Sequence, residues 1–209
     1  LDKLYHTAYS DRQGPVLFDI PIDLQNTHIL KKKLFKPVSK KNKKQKIIKN
    51  FDKFEKLLSK SKKPLFLIGG GFKNIDKKIL SKLIKRTGIP SVNTWNGFDI
   101  LEYHNKNFIG TVGIYGNRAS NYAIQNCDLL IVLGSRLETR VIGRDKNNFA
   151  KNAKIVQVDI DKFELKRKRD RKIELKINST TTDFIKCLNY RIKRINLKKE
   201  IINEYECGK

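Results

Sequence analysis

The chain has 209 residues, enough for one sizeable core or for one domain with tails, and its 46 Lys and Arg against 21 Asp and Glu give a formal charge of +25. That excess makes nucleic acid or an acidic membrane the first partners to consider, yet the lysines recur everywhere with Asn and Ile and build no amphipathic face interleaved with aromatics, so no specific nucleic-acid surface is expected. No apolar run approaches the roughly 20 residues needed to cross a bilayer, and the start has no signal-peptide pattern, so no membrane partner and a cytoplasmic location are expected.

Residues 1–30 read as a short helical tail, a turn at Gln13-Gly14-Pro15 and a strand from Val16 to Ile20 that Pro21 ends. The stretch 31–46 holds nine lysines in sixteen residues and no acidic residue, a self-repelling composition that reads as a solvated linker. Ile47, Ile48, Phe51, Phe54, Leu57 and Leu58 recur at helical spacing, so a helix over Ile47 to Leu58 leads into the core domain. A β run from Leu65 to Ile68 ends in Gly69-Gly70-Gly71, after which Asn74 or Asp76 caps a helix whose apolar face is Ile75, Ile79, Leu80, Leu83 and Ile84, stopped by Gly88 and Pro90. These three glycines serve a tight turn and strand packing as readily as they serve phosphate, since the spacing is not G-x-G-x-x-G.

Ser91 to Thr94 reads as the next strand, with Thr94-Trp95-Asn96-Gly97 as the loop at its carboxyl end. Trp95 either stacks on a planar ring or packs half-buried. Residues 98–112 are irregular, with a short strand over Phe108-Ile109-Gly110. Gly113-Ile114-Tyr115-Gly116 then leads into a helix from Ala119 to Asn126, started near Asn117 or Ser120, whose backbone donors form a candidate anion site.

In the stretch 128–161 two apolar β runs, Leu129 to Leu133 and Ile155 to Val158, each break off into a polar loop, the pattern of buried parallel strands. Ligands of such sheets sit beyond the carboxyl ends of the strands. Gly134, Ser135, Arg136 and Arg140 follow one strand and Asp159 the other, a lining suited to a nucleotide. Lys162 to Arg171 reads as a short basic helix with a solvated face, Ile173 to Ile177 as an edge strand, and Thr182 to Ile195 as a closing helix through Phe184, Ile185, Leu188, Ile192 and Ile195. The fold class is therefore α/β: a Rossmann-like doubly wound sheet of about six mostly parallel strands with helices on both faces.

Cys127, Cys187 and Cys207 are scattered without metal spacing and read as inert thiols of a reducing compartment. His6, His28 and His104 are equally dispersed, so spacing supports neither a zinc site nor a Ser/His/Asp triad. The chain starts at Leu1 and contains no Met, which reads as a piece of something longer. From the residues alone, a stand-alone nucleotide-binding module and a basic nucleic-acid-binding protein both stand as readings.

The segments GPVLFDIPIDLQ (14–25), KPLFLIGGG (63–71), TGIPSVNTWNG (87–97), GTVGIYGNRASNYAIQNCDLLIVLGSRLETRVIG (110–143) and FAKNAKIVQVDIDKFE (149–164), in this order, resemble the middle domain of thiamine diphosphate-dependent enzymes of the acetolactate synthase and pyruvate oxidase family. The resemblance implies that residues 1–30 are the tail end of an N-terminal pyrimidine-binding domain, 31–46 a Lys-rich linker, 47–195 the central domain and 196–209 a tail. It further implies a parent enzyme, a transferase or lyase that joins or decarboxylates 2-oxo acids as a homodimer or homotetramer. Thiamine diphosphate and magnesium would be held by the remaining domains of that parent, outside this segment, which carries no catalytic residue and would not catalyse alone. The central domain in this family binds FAD, ADP or no nucleotide. Carried over by position, the contacts are Gly70, Gly71, Thr94, Trp95, Tyr115, Gly116, Gly134, Ser135, Arg136, Arg140, Val141, Asp159 and Ile160. Tyr115, Glu138-Thr139 and Asn178-Ser179 depart from the family's histidine, aspartate pair and Gly-Asp pair.

Overall fold

The structure is a computed structural model that describes residues 1–10, 12–28, 48–72, 77–168 and 171–192. The chain divides into two units, residues 1–45 and 46–209. In the first unit, helix α1 (Asp2–Tyr9) and the single turn α2 (Ile22–Gln25) flank extended chain. The expected strand Val16 to Ile20 does not form: Val16, Leu17, Phe18 and Ile20 lie exposed in irregular backbone. Strand patterning needs a partner ladder to become a strand, and the described residues of this unit contain no second strand. The lysine-rich linker, the capping pair Asn74 and Asp76, Ile47, Ile75, Ile195 and the tail after 195 fall outside the described residues.

The second unit is built on six parallel strands: β1 (Pro64–Ile68), β2 (Ser91–Asn93), β3 (Phe108–Thr111), β4 (Leu129–Leu133), β5 (Lys154–Asp159) and β6 (Leu175–Asn178). Their order is β3-β2-β1-β4-β5-β6, the doubly wound arrangement expected from the sequence. Every residue of β1 and β4 is buried, because an interior parallel strand is covered on both faces and an unbroken apolar run satisfies both. At the edge, β6 alternates buried Leu175 and Ile177 with exposed Lys176 and Asn178, as a half-covered strand should.

Alternation along the strands sends Phe66, Ile68, Ile131, Leu133, Val156, Val158 and Ile177 to one face. There α3 (Phe51–Lys60), α4 (Lys77–Thr87) and α8 (Thr181–Arg191) cover them with Phe54, Leu58, Leu80, Leu83, Ile84, Phe184 and Leu188. Phe51, Phe54 and Phe184 meet with ring centroids 5.0–5.5 Å apart, joining α3 to α8. Arg191 reinforces the same joint by pairing with Asp52 at 2.7 Å and Glu55 at 3.2 Å. Leu65, Leu67, Val92, Leu130, Val132 and Ile155 point to the other face, against Ala123 and Ile124 of α5 (Arg118–Asn126) and against Leu137, Phe149 and Ala150. Two further short helices follow β4 and β5: α6 (Thr139–Ile142), absent from the sequence reading, and α7 (Lys162–Lys166). No described helix is long and apolar enough to cross a membrane.

Side chains close the chain reversals that strands and helices leave open. At the amino-terminal rim Asp128 accepts hydrogen bonds from the Ser61 hydroxyl, from Lys62 N–H at 2.7 Å and from Lys63 N–H at 3.0 Å, tying the entry of β1 to that of β4. Arg171, expected on a solvated face, turns inward instead. Its guanidinium donates to the carbonyls of Phe149, Ala150, Lys151 and Ala153 at 2.8–3.2 Å, holding a turn in which Ala150 has φ 48°. Five fixed donors in one plane suit four converging carbonyls in a way that a lysine cannot.

Cys127 caps α5 from the core and donates to Ile124 O at 3.2 Å. Burial first, and the Asp128 carboxylate second, push its thiol up to about 12, in line with the inert thiol expected from sequence. The protonated form is thus favoured in the folded chain, while the unfolded chain ionises from about pH 9. The stability this contributes is full below that pH and is lost as pH rises above it, at about 1.4 kcal/mol per pH unit. Urea unfolding of the wild type and Cys127→Ala should show the stability gap shrinking by about 1.4 kcal/mol between about pH 8 and about pH 10.

Candidate functional site

Between β1 and β4 the strand order reverses, and the chain leaving β1 covers the first face while the chain leaving β4 covers the second. A crevice beyond the carboxyl ends follows from that divergence. Because all six strands run parallel, the carboxyl ends of β1 to β5 and the segments that follow them share this rim, and each residue expected at the site lies there: Asp159 at the end of β5, Arg140 and Val141 in α6, the rest on the loops.

The glycines join the loops to one another. Gly69 N–H donates to Leu133 O at 2.9 Å, Gly71 N–H to Gly134 O at 2.9 Å, and Gly134 N–H to Val158 O at 3.1 Å. A Cβ on Gly69 would lie 2.4 Å from Gly134 O, and one on Gly71 would lie 2.8 Å from Gly134 Cα. Gly134 itself has φ 62°. Of the three glycines weighed between loop packing and phosphate, Gly69 and Gly71 pack closely on Gly134, and the amides of Gly69, Gly71 and Gly134 are bonded within the protein. Gly70 faces Asn96 of the next loop, with a Cβ there 3.0 Å from Asn96 Cβ.

Thr94 is buried, and its N–H closes onto Ile68 O at 2.9 Å. Trp95 is 68% exposed, which overturns the half-buried packing alternative, and its ring centroid stands 5.6 Å from that of Tyr115, itself 70% exposed. The loop carrying Tyr115 is fixed from both sides. Asn121 accepts from Gly113 N–H at 2.9 Å and donates to Gly113 O at 3.1 Å, while Ile114 N–H donates to Arg140 O at 3.0 Å. Gly116 is held against Thr111 O, where a Cβ would come within 2.4 Å. These contacts bring Trp95, Tyr115 and α6 into one neighbourhood, with Arg140 exposed and Val141 packed against the second-face core. At the start of α5, the candidate anion site, Asn117 Oδ1 caps one of the first-turn amides by accepting from Ser120 N–H at 2.8 Å.

Ser135 is buried and Arg136 exposed on the turn after β4. Asp159 is also buried; its Oδ1 accepts from Asp161 N–H at 2.8 Å and so fixes the bend before α7, whose own cap is the Asp161 carboxylate. Asn178 Nδ2 locks the next bend by donating to Asp159 O at 3.1 Å and to Ile160 O at 2.8 Å, and Ile160 is exposed.

Sequence reasoning missed the amides that organise this rim: Asn93, which donates to Gly97 O and accepts from Thr111 Oγ1; Asn121; and Gln157, which donates to Ser135 O. For Asn93 and Gln157 the signal was present, a carboxamide inside a buried strand in SVN and in KIVQVD. An adenine nucleotide fits the exposed groups, with Trp95 and Tyr115 for a planar ring and the Arg136 and Arg140 guanidinium groups for phosphate. It does not fit the amides of Gly69, Gly71 and Gly134, which the loops use themselves. Among the described residues no group of three or more metal-ligating side chains occurs.

Residues 51–188 match the family described as thiamine pyrophosphate enzyme, central domain. The acetolactate synthase isozyme 2 large subunit of Escherichia coli is 32% identical over 83% of this chain and 31% of its own length. The acetolactate synthase large subunit of Corynebacterium glutamicum is 31% identical over 98% of this chain and 33% of its own. The chloroplastic acetolactate synthase of Arabidopsis thaliana is 31% identical over 79% and 25%. The chain thus spans about a third of the length of the curated relatives it matches.

Gly134→Ala would place a methyl group at a left-handed residue 2.9 Å from Gly71 Cα. Urea unfolding should show a loss of about 2–4 kcal/mol, against little change for Gly14→Ala, which meets open space and has no left-handed φ.

Proposed function

The chain belongs to the thiamine pyrophosphate enzyme central-domain family, and on that premise we propose that it is the middle part of a longer, acetolactate synthase-like enzyme that joins or decarboxylates 2-oxo acids such as pyruvate. The observation that carries this reading is continuous similarity to the Corynebacterium glutamicum large subunit over 98% of this chain, confined to 33% of that protein. In this reading residues 1–30 end a pyrimidine-binding domain, 31–46 form a linker, 47–195 the central domain and 196–209 a tail. Thiamine diphosphate, with magnesium, supplies the nucleophile and electron sink from the other domains. The parent is a transferase or lyase, a homodimer or homotetramer, and cytoplasmic.

The part played by this segment is to bind and to space. Its rim takes FAD or ADP: the exposed Trp95 and Tyr115 rings receive the planar base, and Arg136 and Arg140 receive phosphate oxygens through charge-assisted bonds. Gly70, Gly116 and Ser135 shape the wall, Thr94, Val141 and Asp159 support it from within, and Ile160 stands exposed after β5. None of these groups moves a proton or forms a bond in the reaction. The sheet supplies a rigid base that holds a nucleotide at a set distance from chemistry elsewhere.

The longer protein carrying this segment should convert pyruvate to a condensed or decarboxylated product with thiamine diphosphate and magnesium, whereas the 209-residue chain alone should not. Absence of any 2-oxo acid turnover by the longer protein would refute the enzymatic reading. In the chain alone, Arg136→Ala should weaken ADP binding by about 1.5–3 kcal/mol, the scale of one lost charge-assisted bond. Unchanged calorimetric affinity would remove Arg136 from the site.

A further inference from the structure

Gln157 is fully buried in β5, between Val156 and Val158 in sequence and beside Val132 of β4 in register. Interior parallel strands usually carry an unbroken apolar run, and a carboxamide placed there needs hydrogen-bond partners to offset its desolvation. Its Nε2 donates to the carbonyl of Ser135 at 3.0 Å, inside the turn that follows β4. That turn has an uncommon backbone. Gly134 has φ 62° and Leu137 has φ 52°, and the left-handed region disfavours a side chain as bulky as leucine.

Such a conformation persists only where the surroundings over-determine it, and it clusters at ligand clamps and other functional positions. Here the surroundings do so from four directions. Gln157 holds the Ser135 carbonyl, Ser135 Oγ accepts from Leu137 N–H at 3.3 Å, Gly71 N–H donates to Gly134 O at 2.9 Å, and the Leu137 side chain is sunk in the second-face core. The residue left on the outside of the turn is Arg136.

We propose that Gln157 is a positioning residue for the anionic part of a bound nucleotide: by anchoring the Ser135 carbonyl it keeps the Gly134–Leu137 turn in the conformation that presents Arg136 at the rim. The inference rests on the nucleotide reading of this crevice. Gln157 does not touch the ligand; it acts through the turn.

Gln157→Met keeps the volume and removes the donor. In the 209-residue chain, amide exchange at Leu137 and Gly71 should accelerate by about tenfold, the scale of one buried hydrogen bond, while Val132 stays protected. Calorimetric affinity for ADP should weaken by about tenfold as the arginine loses its fixed placement. Gln157→His, which restores a ring N–H donor, should recover both. A purely architectural amide would lower global stability yet leave turn exchange and the ADP affinity of the folded chain as they were, and that result overturns the proposal. Should Gln157→Met not fold, exchange in the unsubstituted chain decides: slow exchange at Leu137 and Gly71 supports the anchored turn, and exchange at the rate of exposed loops overturns it. If the unsubstituted chain binds neither ADP nor FAD, the nucleotide reading fails and this inference with it. Binding that Gln157→Met leaves intact fails this inference alone.

Discussion

Two loops meeting backbone to backbone set the geometry on which everything at the carboxyl rim depends. At the reversal of strand order the chains leaving β1 and β4 part to opposite faces, and they touch through Gly69, Gly71 and Gly134 before they part. No side chain fits between them, and one of the three residues adopts a left-handed φ. The consequence is chemical as well as steric. Amides that point toward phosphate in many doubly wound sheets are here bonded to the neighbouring chain, at Leu133, Gly134 and Val158. The exposed groups at this rim are an aromatic pair, Trp95 and Tyr115, and two arginines, Arg136 and Arg140.

The same economy of backbone bonding runs through the second unit. A doubly wound sheet buries its strands on both faces, so each entry and exit of the chain leaves carbonyls and amides near the core that need partners. Asp128 satisfies amides at the amino rim, Arg171 satisfies four carbonyls beside β5, and Asn93, Asn121, Asn178 and Gln157 satisfy the carboxyl rim. Two of the turns held in this way contain non-glycine residues at positive φ, Leu137 and Ala150, and both residues are buried in the same apolar cluster. Strain and anchoring coincide, as expected where a turn must keep one shape.

Membership of the central-domain family and the span of a quarter to a third of each relative fit a part that works by spacing and holding. A sheet covered on both faces, with α3 and α8 locked by three phenylalanine rings and an arginine pair, is suited to that task. The formal charge of +25 is spread through the sequence. Part of it is structural, since Arg171 and Arg191 bind the domain to itself.

The strands β1 and β4 could be read from the sequence because burial on both faces demands an unbroken apolar run, which few other elements show, and β5 keeps that run but for Gln157. The edge position of β6 was written in its alternation, and the start of α5 in Asn117. Local pattern was insufficient where the outcome depends on a distant partner. Val16 to Ile20 has strand composition without a ladder to join, α6 is too short to leave a period, and Arg171 looks like any solvated arginine until four carbonyls converge on it. Composition and periodicity are properties of neighbouring residues, so they determined the α/β class and the buried strands of the second unit, while most of the rim residues came from the family resemblance. Whether a glycine faces phosphate or another loop, whether Trp95 is covered, and which carbonyl Gln157 serves are questions of contact between segments far apart in the chain, and only the packed sheet decided them.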